Sequence, residues 1–190
     1  MPTRSLSMTS RTLGFVCCWL AGVPALSADE KAARWDAPVI DGYGYINPLP
    51  GAALQPDPAQ HYKVVFDVAK GAESPHAVNR GLWHVARTVN LFGRDNKPAP
   101  NLDIVVVIHG DATRSVLNDD AYKARFSAEN PDADLLRKLE AAGVKVYVCG
   151  QAIVDSGYYY QNVRDDVEVV LAAVAAEIEL ATQGYVLISL

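Results

Sequence analysis

The chain has 190 residues and a formal net charge of −5, from 17 basic and 22 acidic side chains. This acidic balance argues against nucleic acid and anionic membranes as partners, because both attract positively charged surfaces. The length suits a single domain with a hydrophobic core of its own, preceded by a shorter N-terminal segment.

The first 28 residues have the three parts of a secretory signal peptide. Arg4 and Arg11 form a basic start, an apolar run spans residues 13–21, and small side chains follow. The apolar run is too short for a spanning helix, which needs about 20 residues. We predict export to the periplasm, cleavage near Ser27 or Ala28, and no membrane attachment afterwards. The alternative is an N-terminal anchor that is never cut.

Removal of this segment would leave a single cysteine, Cys149, because Cys17 and Cys18 lie within it. The mature chain would carry a net charge of −7, since two arginines and no acidic residue are lost. An exported protein with one cysteine has no internal disulfide. Its thiol is therefore a candidate for reactivity or for pairing with another chain.

Residues 29–60 form an arm that is rich in proline and glycine. Proline fixes φ and lacks an N–H donor, so the arm should be extended and non-helical. It is too apolar for a disordered tether, with Trp35, Val39, Ile40, Tyr43, Tyr45 and Ile46. We predict an arm laid over the domain or over a neighbouring subunit. A flexible linker is the alternative for its first ten residues.

From residue 61 to residue 190, short β-branched runs alternate with helical patterns. Apolar runs predict strands at residues 62–68, 103–109, 144–149, 166–170 and 185–188. Helical spacing predicts helices at residues 77–92, 120–126, 132–142 and 171–183, and glycine closes three of them. Residues 166–170 have an alternative as the first turn of the last helix. Strands that alternate with helices predict one parallel sheet with helices on both faces.

Ligands of such sheets bind beyond the carboxyl ends of the strands. This rule selects residues that end the first three predicted strands: Asp67, His109, Gly110, Cys149, Gly150 and Gln151. A thiol at a strand end, facing the amides of a short following helix, is well placed to become a thiolate nucleophile. The alternative is that Cys149 is a small buried residue of the strand.

The other polar residues are weaker candidates for a role in binding or catalysis. His109 would assist the thiol or bind an anion, or it would be a hydrogen-bonded structural residue. Asp67 would orient a partner or cap a helix, and Asn79 lies where a helix is expected to start. The spacing of the four histidines does not match a metal site, and no phosphate-binding loop is present, so no metal and no cofactor are predicted.

Four segments carry a resemblance to a known family: residues 62–67, 105–110, 141–151 and 183–186. The most specific is the third, which reads AAGVKVYVCGQ. Over residues 61–190 the chain resembles the DsrE/DsrF-like sulfur-relay family, specifically its exported single-domain members. The resemblance implies a flavodoxin-like three-layer sandwich with about five parallel strands, and assembly as a trimer or hexamer. It also implies persulfide chemistry on a cysteine, a role that only Cys149 matches.

Three functions are compatible with this sequence. The leading one is a periplasmic sulfur-handling protein, whose Cys149 carries sulfane sulfur as a persulfide between donor and acceptor proteins. His109 and the amides of Gly150 and Gln151 would bind the anionic sulfur. The second is a non-catalytic module for small-molecule binding or oligomeric assembly, with a buried structural Cys149. The third is a hydrolase or transferase using Cys149 and His109, for which the sequence reveals no orienting residue.

Overall fold

The computed structural model describes residues 35–93 and 97–190, so the predicted signal peptide lies outside the described residues. Within these ranges, five strands and five α-helices follow one another along the chain: β1 (Tyr62–Val68), α1 (Arg80–Phe92), β2 (Leu102–Ile108), α2 (Asp119–Phe126), α3 (Ala133–Ala141), β3 (Lys145–Cys149), α4 (Gly150–Asp155), β4 (Glu168–Val170), α5 (Ala173–Thr182) and β5 (Val186–Ser189). None of the helices in this part of the chain has the length and apolar content to cross a membrane.

The five strands form one sheet in the order β4-β3-β2-β1-β5, and every neighbouring pair is parallel. The predicted α/β class is therefore confirmed, and residues 168–170 form a strand rather than the first turn of α5. The second strand begins and ends one residue earlier than the sequence predicts, so His109 lies just beyond its end. This strand is central and its last five residues are buried, as expected for a sheet covered on both faces.

Helices cover both faces of the sheet, which makes the three-layer sandwich that was expected. On one face, Phe66 and Val106 pack with side chains of α1 and α3 in the larger core. On the other face, Val65, Val105 and Val107 pack against α5 in a smaller core. Successive residues of a strand point to opposite faces, so each strand contributes to both cores.

Helix α1 begins three residues later than its apolar spacing predicts. The side chain of Asn79 accepts hydrogen bonds from the backbone N–H groups of Gly81 (2.8 Å) and Leu82 (3.3 Å). The backbone of Asn79 is extended, with φ −63° and ψ 124°, so the helix starts only after it. An asparagine in this position satisfies amide groups that the first turn leaves without partners.

The described part of the arm, residues 35–60, packs on α1 of the same chain. Ile40 is buried in the larger core. The side chain of Asn90, on α1, forms hydrogen bonds with the backbone of four arm residues: Val39, Ile40, Tyr43 and Gly44. Arg87 of the same helix donates to the carbonyl of Tyr45. The arm therefore covers the helical layer opposite α5.

Candidate functional site

The ends of β1, β2 and β3 lie side by side because the sheet order places β2 between the other two. Asp67 pairs with Val107 across β1 and β2, and Ile108 pairs with Val148 across β2 and β3. His109 and Cys149 are the next residues along their strands. Neighbouring strands are about 4.8 Å apart, so these two residues occupy adjacent positions at the carboxyl edge.

Asp67, His109 and Cys149 also share one face of the sheet. Cys149 packs with Val65 and Val107 in the smaller core under α5. Asp67 and His109 each come two residues after one of those valines. The backbone of His109 is still extended, with φ −155° and ψ −171°, so the alternation of side chains continues through it. The fold therefore places Cys149 on the same face of the sheet as the imidazole and the carboxylate, in the strand position next to that of His109.

Asp67 orients the imidazole of His109. The distance between His109 Nε2 and Asp67 Oδ1 is 2.6 Å, and both side chains are partly buried, at 30% and 21% exposure. When Nε2 carries the proton, it donates to the carboxylate and leaves Nδ1 free to accept a proton. Asp67 therefore has the first of the two roles that the sequence left open for it, that of orienting a partner.

Glu177 forms a corner with Asp67 and His109, although the sequence analysis did not select it. Its carboxylate, Asp67 and His109 each offer one ligand atom, and these atoms all lie within 4.8 Å of one another. Glu177 Oε1 is buried and has no hydrogen-bond partner among the described residues. Burial raises the pKa of Glu177, and the nearby Asp67 raises it further, while His109 lowers it.

Glu177 lies on the face of α5 that meets the sheet. The residues of α5 that face the sheet include Ala173 and Leu180, which are buried. Glu177 lies four residues after the first and three before the second, so it belongs to the same stripe. A carboxylate on the inner stripe of a helix is unusual, because burial of a charge is costly without a partner.

Cys149 ends β3 and precedes the first residue of α4. Its side chain is 6% exposed. Its Sγ accepts a hydrogen bond from the backbone N–H of Ala152 at 3.4 Å. An amide donor of this kind stabilises a thiolate relative to a thiol. Gly150 lies against β4, since a Cβ atom there would be 3.0 Å from the carbonyl oxygen of Val170.

The remaining predicted residues occupy other places. Gly110 begins a 3₁₀-helix directly after His109 and has φ +52°. The exposed side chain of Gln151 donates to the carbonyl of Leu171 at 3.1 Å. Asn79 is fully buried at the start of α1, where its amide donates to Lys70. The structure therefore does not bring the side chains of Gln151 and Asn79 to the corner formed by Asp67, His109 and Glu177.

The model of the DsrE/DsrF-like family matches residues 63–190. The chain belongs to the DsrE/DsrF-like family. The family is associated in general with sulfur relay. Its match spans every strand and helix described above from the second residue of β1 onward, and it includes Asp67, His109, Cys149 and Glu177.

Two solved structures are similar to this DsrE/DsrF-like protein. One is MTH1491 of Methanobacterium thermoautotrophicum, a protein of unknown function, with 22% identity and a TM-score of 0.50. The other is the ychN protein of E. coli, with 17% identity and a TM-score of 0.46. Each match covers 68% of this chain and 99% of the other. At 22% identity, the similarity to MTH1491 supports the fold alone. No curated protein matches this chain significantly.

Proposed function

We propose that this DsrE/DsrF-like protein is an exported sulfur carrier, in which Cys149 holds sulfane sulfur as a persulfide. One observation carries the proposal. Cys149 lies at a strand end in the position next to His109 on the neighbouring strand, and the imidazole of His109 is oriented by Asp67 at 2.6 Å. The export half of the proposal rests on the signal-peptide pattern of residues 1–28.

The chemistry needs no cofactor and no external oxidant. His109 takes the proton of the Cys149 thiol, and the amide of Ala152 stabilises the resulting thiolate. The thiolate attacks the outer sulfur of a donor persulfide or polysulfide. A new S–S bond forms on Cys149, the S–S bond of the donor breaks, and the donor leaves as a thiolate that receives the proton. An acceptor thiolate then removes the outer sulfur by the same step in reverse.

Mass spectrometry of protein from the periplasmic fraction, after treatment with polysulfide, tests this proposal. We expect an increment of one sulfur atom on the peptide that contains Cys149. The intact mass of the same sample is expected to show cleavage after Ser27 or Ala28. Cys149→Ser should abolish the increment. An unmodified Cys149 in the folded protein, or a protein absent from the periplasm, would contradict the corresponding half of the proposal.

The role of His109 has a matched control in the same molecule. His61 and Asp103 form a second histidine–aspartate pair at 3.0 Å, but both side chains are about half exposed. We expect His109→Gln to slow persulfide formation at least about a hundredfold, the lower end of what proton transfer contributes. His61→Gln should leave the rate unchanged. Equal rates in both variants would remove His109 from the mechanism.

A competing function follows from the low exposure of Cys149. A thiol that packs with Val65 and Val107 under α5 is also what a non-catalytic assembly module with a structural cysteine would contain. Alkylation separates the two functions. Iodoacetamide should modify Cys149 in the native carrier at a rate comparable with that of a free thiol. Protection until the protein is unfolded would favour the assembly module.

We also propose that the protein is a homo-oligomer, joined through the surface formed by α5 and β5. Large apolar side chains are exposed along both elements: Val174, Ile178, Val186, Leu187 and Ile188. Strand β5 is an edge strand with four exposed residues, whereas strands of parallel sheets are normally covered on both faces. Beside α5 an open groove of about 280 Å³ reaches the sheet at Val105 and Tyr147. A second copy of the chain would cover these surfaces.

Ile178→Glu tests the oligomer, because Ile178 is 62% exposed and its replacement leaves the core of the subunit intact. We expect light scattering to show an oligomer for the unmodified protein and a smaller species for the variant. Leu54→Glu is the control, since Leu54 is 91% exposed and belongs to the arm rather than to α5 or β5. A monomeric unmodified protein, or an equal effect of the control, would contradict the proposal.

A further inference from the structure

Two carboxylates and one imidazole converge at the corner formed by Asp67, His109 and Glu177, where all three ligand atoms lie within 4.8 Å of one another. Asp67 lies in β1, His109 directly follows β2, and Glu177 lies in α5. Two carboxylates this close repel each other unless positive charge lies between them. His109 already bonds to Asp67, and the buried oxygen of Glu177 has no hydrogen-bond partner in the part of the chain that the structure describes.

The position of Glu177 on its helix makes the burial of its carboxylate unfavourable. It lies on the inner stripe of α5 between Ala173 and Leu180, both of which pack in the smaller core. An apolar side chain at this position of α5 would be buried at a lower free-energy cost than a carboxylate. Glu177 is partly buried, and its Oε1 atom is buried without a hydrogen-bond partner among the described residues. A positively charged species bound between the three side chains would supply this oxygen with a partner.

We infer that Asp67, His109 and Glu177 bind a divalent transition-metal ion, with Zn²⁺ as the best fit. One imidazole nitrogen and two carboxylate oxygens are ligands that Zn²⁺ accepts, at about 2.0–2.2 Å. The ion would take the place of the proton between His109 and Asp67, and a small inward movement of the three side chains would reach bonding distance. Asp67 and His109 remain 21% and 30% exposed, so a fourth position is open to water or a ligand.

This inference departs from the expectation of no metal that the histidine spacing gave. Spacing along the chain detects ligands that share one loop or helix. Here Asp67 and Glu177 are 110 residues apart and meet only because α5 crosses the sheet over β1 and β2. The site shares Asp67 and His109 with the proposed persulfide chemistry, but it does not require the sulfur of Cys149, so metal binding and persulfide formation can fail separately.

Titration of the full-length protein with Zn²⁺, followed by calorimetry, tests the inference. We expect saturation at one ion per chain. Glu177→Gln and His109→Gln should each weaken binding more than about tenfold, since even the loss of a group that supports a ligand costs that much. His61→Gln should bind like the unmodified protein, because the exposed His61–Asp103 pair has no third ligand among residues 35–93 and 97–190.

A second readout separates this site from thiolate binding and from misfolding. Co²⁺ at the same site should give the weak visible bands of nitrogen and oxygen ligands, without a sulfur-to-metal charge-transfer band, and Cys149→Ser should leave these bands unchanged. Circular dichroism should show that the two weakened variants keep their folded signal. Zn²⁺ that fails to saturate at one ion per chain overturns the inference. Binding that survives Glu177→Gln, or a charge-transfer band that Cys149→Ser removes, also overturns it.

Discussion

Gly44→Ala is expected to lower the free energy of unfolding by about 2–4 kcal/mol. Gly44 belongs to the arm and has φ +62°, a left-handed conformation that alanine adopts only with strain. A Cβ atom there would lie 2.2 Å from the backbone nitrogen of Arg87 and 2.5 Å from the carbonyl carbon of Ala86. Since both contacts are with the backbone of α1, no side-chain rotation relieves them. Urea unfolding, monitored by circular dichroism, measures the effect.

Gly42→Ala is the matched control for this prediction. Gly42 has φ +85°, so alanine meets comparable backbone strain. However, a Cβ atom at Gly42 would have no neighbour closer than Lys138 Nζ at 4.0 Å. We expect a loss of about 1–2 kcal/mol, the cost of the left-handed conformation alone. The difference between the two variants reports the close packing of the arm on α1, and equal losses would contradict that packing.

Asn90→Ala is expected to cost about 3 kcal/mol or more, because its side chain satisfies four backbone groups of the arm. Asn90 Oδ1 accepts from the N–H groups of Val39 (2.9 Å) and Ile40 (2.8 Å). Its Nδ2 donates to the carbonyls of Tyr43 (2.9 Å) and Gly44 (3.0 Å). The amide is buried, so in the variant water does not replace these partners. The midpoint of urea unfolding gives the magnitude.

Asn101→Ala tests whether the loss of stability depends on the burial of the amide rather than on its number of hydrogen bonds. The amide of Asn101 also donates to two arm carbonyls, those of Asp57 and Gln60, but these bonds are exposed to solvent. Water replaces an exposed donor at little cost, so we expect a loss of about 1 kcal/mol or less. If Asn101→Ala cost as much as Asn90→Ala, the account of a buried amide that anchors the arm would be wrong.

Both of these predictions concern the side of the molecule that the arm covers. The arm lies on α1, in the helical layer opposite α5. The thiol of Cys149, the oriented His109 and the exposed apolar strip of α5 all belong to the other side of the sheet. The arm therefore stabilises the domain without covering the candidate site, and Gly44→Ala should leave the reactivity of Cys149 unchanged at temperatures where the protein is folded.

The sequence by itself determined that the domain contains a parallel sheet covered on both faces, and that Cys149 lies at the end of one of its strands. Strand β1 begins and ends as predicted, and the buried run of β2 identified a sheet covered on both faces. These predictions succeed because alternation and apolar runs are local properties of the chain. The rule for the carboxyl ends of parallel strands then selected Asp67, His109 and Cys149 from residues that lie 40 or more positions apart.

Only the tertiary structure decided which face of α5 meets the sheet. The helix is apolar on more than one side, and its pattern offers Val174 and Ile178 as inward residues at least as well as Ala173 and Leu180. The fold exposes the first pair, at 61% and 62%, and buries the second. Glu177 therefore reaches Asp67 and His109, and an apolar strip remains outside. A helix that is apolar all round carries no periodic signal for its rotation, so contacts between distant segments determine it.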